Sequence, residues 1–242
     1  GELAEACGTS VATVSRFCRK CGVDGFHQLK IMLAKEIADS STELPVSNHI
    51  SRTEIGQSLQ NILANKIDEI RQTISLIDEK QLNTILDYIK SARIVQFVAV
   101  GNTIPVALDG AFKFNEIGIK AVAGTIWETQ LAFSLSLGRD DVLIAISNSG
   151  ESRQVVKMVQ QAGKNNVITI GITNNPNSTV GRCVDYHIQT ATREKLFLNE
   201  ICFSRVSAMT VIEVIYLFLT VGQERSYDRM SRCESLIADE KL

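Results

Sequence analysis

The chain has 242 residues, a hydrophobic fraction of 45% and a formal net charge of -2. This length suits one large domain or two small ones, and the apolar content is ordinary for a fold with a proper core. The charge provides no overall basic field, so any binding to nucleic acid requires a local basic patch. The six cysteines are irregularly spaced and no segment of this sequence resembles a signal peptide, so we expect free thiols, a cytoplasmic location and no membrane partner.

The N-terminal region, residues 1–38, predicts a small helical domain. Gly8 interrupts a first apolar face, and Ser10 predicts the start of a new helix. The spacing of the small Ala4, the turn at Gly8 and the apolar Val14 is typical of a helix-turn-helix. We also expect the chain to begin inside this unit, at its second helix.

The predicted helix that starts at Ser10 has an outward face with the chemistry needed to contact DNA. Basic side chains there can meet phosphates or guanine edges, while small and hydroxyl side chains lie at the helix start, nearest the bases. The alternative is a solvated charged face. The candidate DNA-binding residues are Ser10, Ala12, Thr13, Arg16, Arg19 and Lys20.

Two cysteines on the same predicted helix raise the question of a metal. Cys18 and Cys21 have the spacing of a zinc pair, but a fourth ligand is lacking and both are predicted to lie on the apolar face with Val11 and Val14. We interpret them as core thiols and predict no metal and no cofactor.

Residues 39–52 predict a polar linker interrupted by Pro45, and residues 53–92 predict two connecting helices. From Thr53 the first helix places large aliphatic residues on one stripe. Asp78 predicts the start of the second. The stripe residues are Ile55, Leu59, Ile62, Leu63, Ile67, Ile70 and Ile74.

Apolar strands and amphipathic helices alternate over residues 93–222, and 223–242 predict a helical tail. This alternation predicts an α/β fold, a doubly wound five-stranded parallel sheet covered by helices on both faces. The long apolar run that ends at Val221 predicts a helix buried in a core or a subunit interface. The predicted strands are Ile94–Val100, Lys120–Ala123, Val142–Ile146, Val167–Ile172 and Tyr186–Gln189.

Two of the predicted strand ends carry glycine with hydroxyl residues. Gly101-Asn102-Thr103 follows the first strand, and Ser147–Ser152 follows the third and precedes a helix. Backbone N–H groups at a helix start and serine hydroxyls together suit an anion. The turn has no lysine, so it is not a Walker A loop. In parallel sheets ligands bind beyond the carboxyl ends of strands, which favours one phosphate pocket over two unrelated surface turns.

These segments resemble a known family. Val11–Lys20 with Gly25–Lys30 resembles the helix-turn-helix of RpiR-type bacterial transcriptional regulators. Val100–Thr103 with Ser147–Ser152 resembles the sugar isomerase (SIS) domain that those regulators carry, and Ser204-Arg205 matches a recurrent pair of the family. The resemblance covers nearly the whole chain. It implies a regulator that binds operator DNA as a homodimer or homotetramer and senses a phosphosugar.

By position, the resemblance implies a ligand site made of Gly101, Asn102, Thr103, Ser147, Asn148, Ser149, Gly150 and Ser152, with Glu194 near the sugar. Glu194 has an alternative interpretation as part of a solvated charge run. The sequence departs from the family where Ile126, Glu128 and Gln130 replace an Asp-x-His-x-Gln-like pattern, so we expect the sugar end of the pocket to differ.

Three functions remain open from the sequence. The first is a DNA-binding regulator that senses a phosphosugar, with no catalytic residue, and the order of the two domains favours it. The second is a sugar-phosphate isomerase of the SIS type, with Glu194 as its base. The third is a small-molecule-binding scaffold with a vestigial DNA reader. We expect the last long helix, from Ser204 to Val221, to provide the dimer surface because it is apolar on nearly all sides.

Overall fold

Residue contacts divide the chain into two compact units, Gly1–Ser47 and Asn48–Leu242. The computed structural model describes residues 4, 7–23, 25, 26, 28, 29, 50–191, 205–221 and 224–238.

The smaller unit contains helix α1, Val11–Lys20. As predicted, Ser10 caps it, and the Ser10 hydroxyl oxygen accepts a hydrogen bond from the Thr13 N–H at 3.2 Å. Gly8 has the left-handed conformation expected of the turn, with φ of 59°. Cys18 is buried.

The prediction that Cys21 lies in the core beside Cys18 is wrong. Cys21 is exposed and forms the C-cap of α1. The chain leaves the helix through Gly22 at φ of 78°, so Cys21 lies past the last buried turn. Val11 is also exposed, because it belongs to the first turn of the helix.

The larger unit alternates helices and strands, with a short 3₁₀ turn at Gly101–Thr103 after the first strand. Asp78 caps α3 as predicted, accepting from the Gln81 N–H at 2.7 Å. Its elements are α2 Ile55–Ser75, α3 Glu79–Ser91, β1 Val95–Ala99, α4 Ile104–Glu116, β2 Ala121–Ala123, α5 Trp127–Ser134, β3 Val142–Ile146, α6 Arg153–Lys164, β4 Ile168–Thr173, α7 Thr179–Cys183, β5 Tyr186–Gln189, α8 Val206–Thr220 and α9 Glu224–Ala238.

The sheet in the described part of the chain has five parallel strands in the order β2-β1-β3-β4-β5. The predicted α/β fold with a doubly wound parallel sheet is therefore confirmed. The three inner strands are largely apolar because both of their faces are covered. Each face of the sheet packs against its own core cluster. Successive side chains of β1 point to opposite faces, and Phe97 belongs to one cluster and Val98 to the other. Helices α3, α4 and α8 contribute to the first cluster, and α5, α6 and α7 to the second.

Helix α2 has an unusual orientation, because the side it turns towards its own unit is polar. Its buried residues are Ser58, Asn61, Asn65, Glu69 and Thr73. The large aliphatic side chains predicted to form a stripe lie on the outside. We call this exposed set the α2 stripe, and it consists of Ile55, Leu59, Leu63, Ile67, Ile70 and Ile74.

Hydrogen bonds fix this rotation of α2. The Ser207 hydroxyl, at the start of α8, donates to the Glu69 carboxylate at 2.5 Å and contacts the Ala191 carbonyl oxygen. The Thr73 hydroxyl oxygen accepts from the Ala191 N–H at 3.1 Å. The buried Glu69 also forms an ion pair with Lys66 at 3.1 Å. These bonds hold the polar side of α2 against α8 and the residues that follow β5.

Helix α8 is largely a core helix, which is one of the two alternatives predicted for it, and its role as a dimer surface stays a prediction. Val211, Ile212 and Ile215 are fully buried, and Leu217 and Phe218 are exposed. Among the helices in the described ranges, none combines the length and the apolar character needed to span a membrane.

Candidate functional site

The strand order creates one place where two neighbouring loops turn away from each other. The chain leaves β1 towards β2 on one side, then returns to form β3 on the other side of β1. In open parallel sheets, ligands bind at this switch point, beyond the carboxyl ends of the strands. The loops there are Val100–Thr103 and Ser147–Ser152, so the structure brings the two predicted ligand-binding segments together.

Thr103 joins the two loops. Its hydroxyl donates to the carbonyl oxygen of Val100 at 3.1 Å and to that of Ile146, the last residue of β3, also at 3.1 Å. The single hydroxyl proton is therefore shared between backbone atoms. In this arrangement Thr103 positions the loops, and its proton is not directed to a ligand.

The Ser147–Ser152 loop has its own hydrogen bonds. The Gly150 N–H donates to the Ser147 carbonyl oxygen at 3.0 Å, and the Glu151 N–H donates to the Ser149 hydroxyl oxygen at 3.3 Å. Ser147 is buried and its hydroxyl points to that of Ser152 at 3.3 Å. Ser149 is exposed, and its hydroxyl acts as acceptor in the bond from Glu151, which leaves its proton for a ligand.

Helix α7 holds the far side of this loop. The Glu151 carboxylate accepts from the Thr179 N–H at 2.9 Å and from the Thr179 hydroxyl at 2.6 Å. The side-chain bond from Thr179, then the backbone bond, lowers the pKa of Glu151 below its ordinary value. The Val180 N–H donates to the Gly150 carbonyl oxygen at 2.9 Å.

Gly150 cannot be replaced without strain. Its φ is 68°, and a Cβ atom there would lie 2.0 Å from the Ser178 hydroxyl oxygen. Glycine alone therefore allows the turn and its close contact with α7.

The loop leads directly into α6, whose start is suited to an anion. Ser152 is the N-cap but its side chain forms no capping hydrogen bond. The first N–H groups of the 12-residue helix and the positive end of its dipole are therefore not satisfied by this cap. Arg153, the first residue of α6, is exposed at the same edge. Sequence reasoning missed Arg153, although its position directly after Ser152 was a usable signal.

The remaining predicted ligand residues have different positions. Gly101 and Asn102 are exposed in the 3₁₀ turn, and Asn148 is half-buried, with its carbonyl oxygen accepting from the Asn174 N–H at 2.8 Å. Glu194 and Ser204 lie outside the described residues. These placements leave the ligand roles of Gly101, Asn102 and Asn148 as predictions.

Gln130 has a structural role that the sequence did not reveal. It is buried, its side-chain oxygen accepts from the Ala99 N–H at 2.9 Å, and its amide donates to the Ala99 carbonyl oxygen at 2.9 Å. It also donates to the Gly124 carbonyl oxygen at 3.0 Å. These bonds commit its side chain to the backbone, and the expectation that the sugar end of the pocket differs from that of the family stays a prediction.

His187 is likewise engaged. It lies on β5, half-buried, with Nε2 2.8 Å from the Thr173 hydroxyl oxygen. Burial lowers the pKa of His187 below its ordinary value, which favours the neutral ring at pH 7.

The smaller unit presents the candidate DNA-binding surface on α1. All six predicted residues, from Ser10 to Lys20, are exposed. The hydroxyl oxygens of Ser10 and Thr13 lie 2.9 Å apart, and an Arg16 guanidinium nitrogen lies 3.5 Å from the Thr13 hydroxyl oxygen. Arg19 and Lys20 lie in the last turn, where positive charge complements the helix dipole.

The sheet order and the two loops at its switch point agree with the SIS domain that the resemblance implies, and residues 88–218 match the model of the SIS domain family. Residues 1–40 match the model of the helix-turn-helix domain, rpiR family. The chain belongs to the rpiR family of helix-turn-helix transcriptional regulators.

A relative in sequence agrees with this assignment, and two solved structures share the fold. An HTH-type transcriptional regulator of Clostridium perfringens is 30% identical over 215 residues, which are 88% of this chain and 77% of the relative. The solved structure of Vibrio vulnificus NanR complexed with ManNAc-6P superposes with a TM-score of 0.71 at 22% identity and covers 100% of this chain and 86% of NanR. The sugar isomerase domain of an RpiR transcription factor from Sphaerobacter thermophilus gives a TM-score of 0.67 at 22% identity, covering 74% of this chain and 99% of that domain.

Proposed function

We propose that this regulator binds a phosphosugar between the Val100–Thr103 and Ser147–Ser152 loops and controls genes of sugar or amino-sugar metabolism from operator DNA. The observation that carries the proposal is the Thr103 hydroxyl, which joins the ends of β1 and β3 at the switch point of the sheet. It holds both loops at the start of α6, where the helix can receive a phosphate. Operator binding implies a cytoplasmic protein.

The donors at this site suit a phosphate held mainly by neutral groups. Ser147, Ser149 and Ser152 supply hydroxyls, and the first turn of α6 supplies N–H groups. The Ser147–Ser152 loop itself contains no lysine or arginine. We add Arg153 to the proposed site, because an arginine at the first helical position can pair with a phosphate oxygen.

The ligand class is supported by a relative of the same fold. The Vibrio vulnificus NanR structure contains ManNAc-6P, an amino-sugar phosphate. We extend that class, and not that individual sugar, to this chain. The role of Glu194 near the sugar stays part of the proposal.

We favour a sensor over an enzyme. An isomerase needs an acid or base placed on the sugar carbon. His187 is engaged with Thr173, and the Glu151 carboxylate is engaged with Thr179.

A sugar-phosphate isomerase is the second candidate, on account of the pocket and Glu194. Turnover of hexose or pentose phosphates by the purified protein would establish it.

The phosphosugar can change DNA binding because it binds two arrangements of the protein with different affinities. A phosphosugar that contacts both loops favours the arrangement in which they lie close together. It can change operator affinity only by the difference between its affinities for the two arrangements, typically about 1–3 kcal/mol.

The ligand test is a thermal-shift screen of the intact protein against hexose, pentose and amino-sugar phosphates. A specific ligand raises the melting temperature as its concentration exceeds its dissociation constant. The Ser147→Ala/Ser149→Ala double variant should lose this shift. Ser136→Ala is the matched control, because its exposed hydroxyl precedes β3 at the opposite edge of the sheet. Retention of the shift in the double variant places the pocket elsewhere.

The DNA test uses Arg16→Ala. We expect weaker operator binding and relaxed sequence preference if Arg16 contacts a base, or uniformly weaker binding with a smaller salt dependence if it contacts a phosphate. Lys164→Ala, which removes one exposed positive charge at the end of α6, is the control for net charge. Unchanged affinity and preference in Arg16→Ala would show that α1 is not the DNA reader.

A further inference from the structure

A third loop lies at the same edge of the sheet as the two loops of the proposed phosphate site. Strand β2 is parallel to β1, so residues 124–126, which follow it, lie at the carboxyl edge beside the end of β1. The Gln130 side-chain amide donates to the carbonyl oxygens of Gly124 at 3.0 Å and of Ala99 at 2.9 Å. These bonds tie the third loop to the last residue of β1, directly before the Val100–Thr103 loop.

Buried polar bonds also fix helix α5, which begins after this loop. The Gln96 amide of β1 donates to the Gln130 carbonyl oxygen at 2.7 Å, and the Gln96 side-chain oxygen accepts from the Ser134 hydroxyl at 2.9 Å. All three residues are buried, so breaking these bonds would leave buried polar groups without partners. Helix α5 packs against α6, and each helix follows a strand of the parallel sheet. Their N-terminal ends therefore lie side by side at the ligand-binding edge.

The two helix starts differ in chemistry. Helix α6 begins with Ser152 and Arg153, which suit a phosphate. Helix α5 begins at Ile126, which is 60% exposed, and has Glu128 in its first turn. Glu128 complements the positive end of the helix dipole and repels a second anion. The start of α5 thus presents an aliphatic side chain at roughly one helix spacing, about 8–10 Å, from the start of α6.

We propose that Ile126 is a specificity-determining residue that contacts the methyl group of an N-acetyl substituent, so that the effector is an N-acylated amino-sugar phosphate. In a 2-amino hexose 6-phosphate the nitrogen and the phosphate are attached on opposite sides of the ring. A phosphate at the start of α6 therefore lets the acyl group reach the start of α5. Contact between the methyl group and Ile126 removes apolar surface from water, whereas a hydroxyl or a free amine gains nothing from an aliphatic neighbour.

This inference rests on the proposed function, because it takes the phosphate to lie at the start of α6. It adds the chemical group that distinguishes the effector from other phosphosugars.

The experiment is a calorimetric titration of the intact protein with 2-amino hexose 6-phosphates, in the gluco and manno configurations, whose nitrogen carries a formyl or an acetyl group. The two acyl groups differ by one methyl group and have the same charge, so the ratio of their dissociation constants isolates the methyl contact. Wild type should bind the acetyl compound about tenfold more tightly.

The substitutions at Ile126 should change this ratio and little else. Ile126→Ala should bring the ratio close to one while leaving the affinity for the formyl compound nearly unchanged. Ile126→Val should retain most of the preference. Leu135→Ala is the matched control and should keep the wild-type ratio, because Leu135 is also exposed but lies at the opposite end of α5.

Equal affinities of wild type for the two compounds, or an acetyl preference that survives Ile126→Ala, would overturn the inference. Binding of another class of phosphosugar without binding of either acylated compound would also overturn it. In these cases a thermal shift that is lost in Ser147→Ala/Ser149→Ala would still support the proposed function. If no phosphosugar of the screen binds, the proposed function fails, and this inference fails with it.

Discussion

The hydroxyl of Thr103 lies 3.1 Å from the carbonyl oxygen of Ile146, and this bond joins the ends of two adjacent strands. Thr103→Val keeps the shape of the side chain and removes the bond. We expect a loss of about 1–2 kcal/mol in the free energy of unfolding, because two carbonyl oxygens lose their donor. We also expect phosphosugar affinity to fall about tenfold. Denaturant melts and titration calorimetry measure the two effects.

Thr103→Ser retains the hydroxyl and should behave nearly as wild type in both measurements. Equal losses in the Ser and Val variants would show that the methyl group, and not the bond to Ile146, positions the loops.

The contact between Glu151 and Thr179 predicts a dependence on pH. The pKa of Glu151 is lowered in the folded state, mainly by the hydrogen bond from the Thr179 hydroxyl. The contact therefore stabilises the fold above the ordinary glutamate pKa, and this contribution is lost as pH falls through the lower folded-state pKa. Melting temperatures between about pH 6 and pH 3 should fall more for wild type than for Glu151→Gln. A constant difference between them at all pH values would contradict this.

Gly150→Ala tests the backbone of the loop. The new Cβ would meet Ser178 at 2.0 Å, and the residue would have to keep a φ of 68°. We expect a destabilisation of about 1–3 kcal/mol, together with loss of the ligand-induced thermal shift. Gly163→Ala is the control, because a Cβ there meets no atom within 4 Å. A normal ligand response in Gly150→Ala would exclude a role for this turn in binding.

Gln130→Leu tests whether that residue serves the fold or the ligand. The substitution leaves the buried N–H and carbonyl groups of Ala99 without partners, and each unsatisfied group costs about 1–3 kcal/mol. Chemical denaturation should show the loss in the absence of any ligand. Unchanged stability together with a loss of ligand affinity would instead show that Gln130 serves the ligand.

Local sequence signals located the strands and several helix starts. β3 and β5 have the predicted bounds, and Ser10 and Asp78 cap helices as predicted, because apolar runs and capping side chains act over a few residues. The meeting of the two loops could also be predicted from the rule that parallel strands carry ligands at their carboxyl ends.

Relations between distant residues could not be predicted in the same way. The sequence showed an aliphatic stripe on α2 but not its direction, because that direction depends on contacts between Glu69 and Ser207, 138 positions apart. The bonds from Gln130 to β1 and from Glu151 to Thr179 also join separate elements. Such pairs leave no local pattern in a single chain.

Because β2 is short, Gln130 also pairs with the end of β1 that β2 does not reach. β2 ends at Ala123, opposite Phe97, so β1 extends beyond its neighbour on that side. The N–H and carbonyl groups of Ala99 would there form an open strand edge, which can recruit strands from other molecules. The side-chain amide of Gln130 occupies both groups as a neighbouring strand would. One glutamine thus closes the end of β1 that projects beyond β2, where a strand of another molecule could otherwise pair.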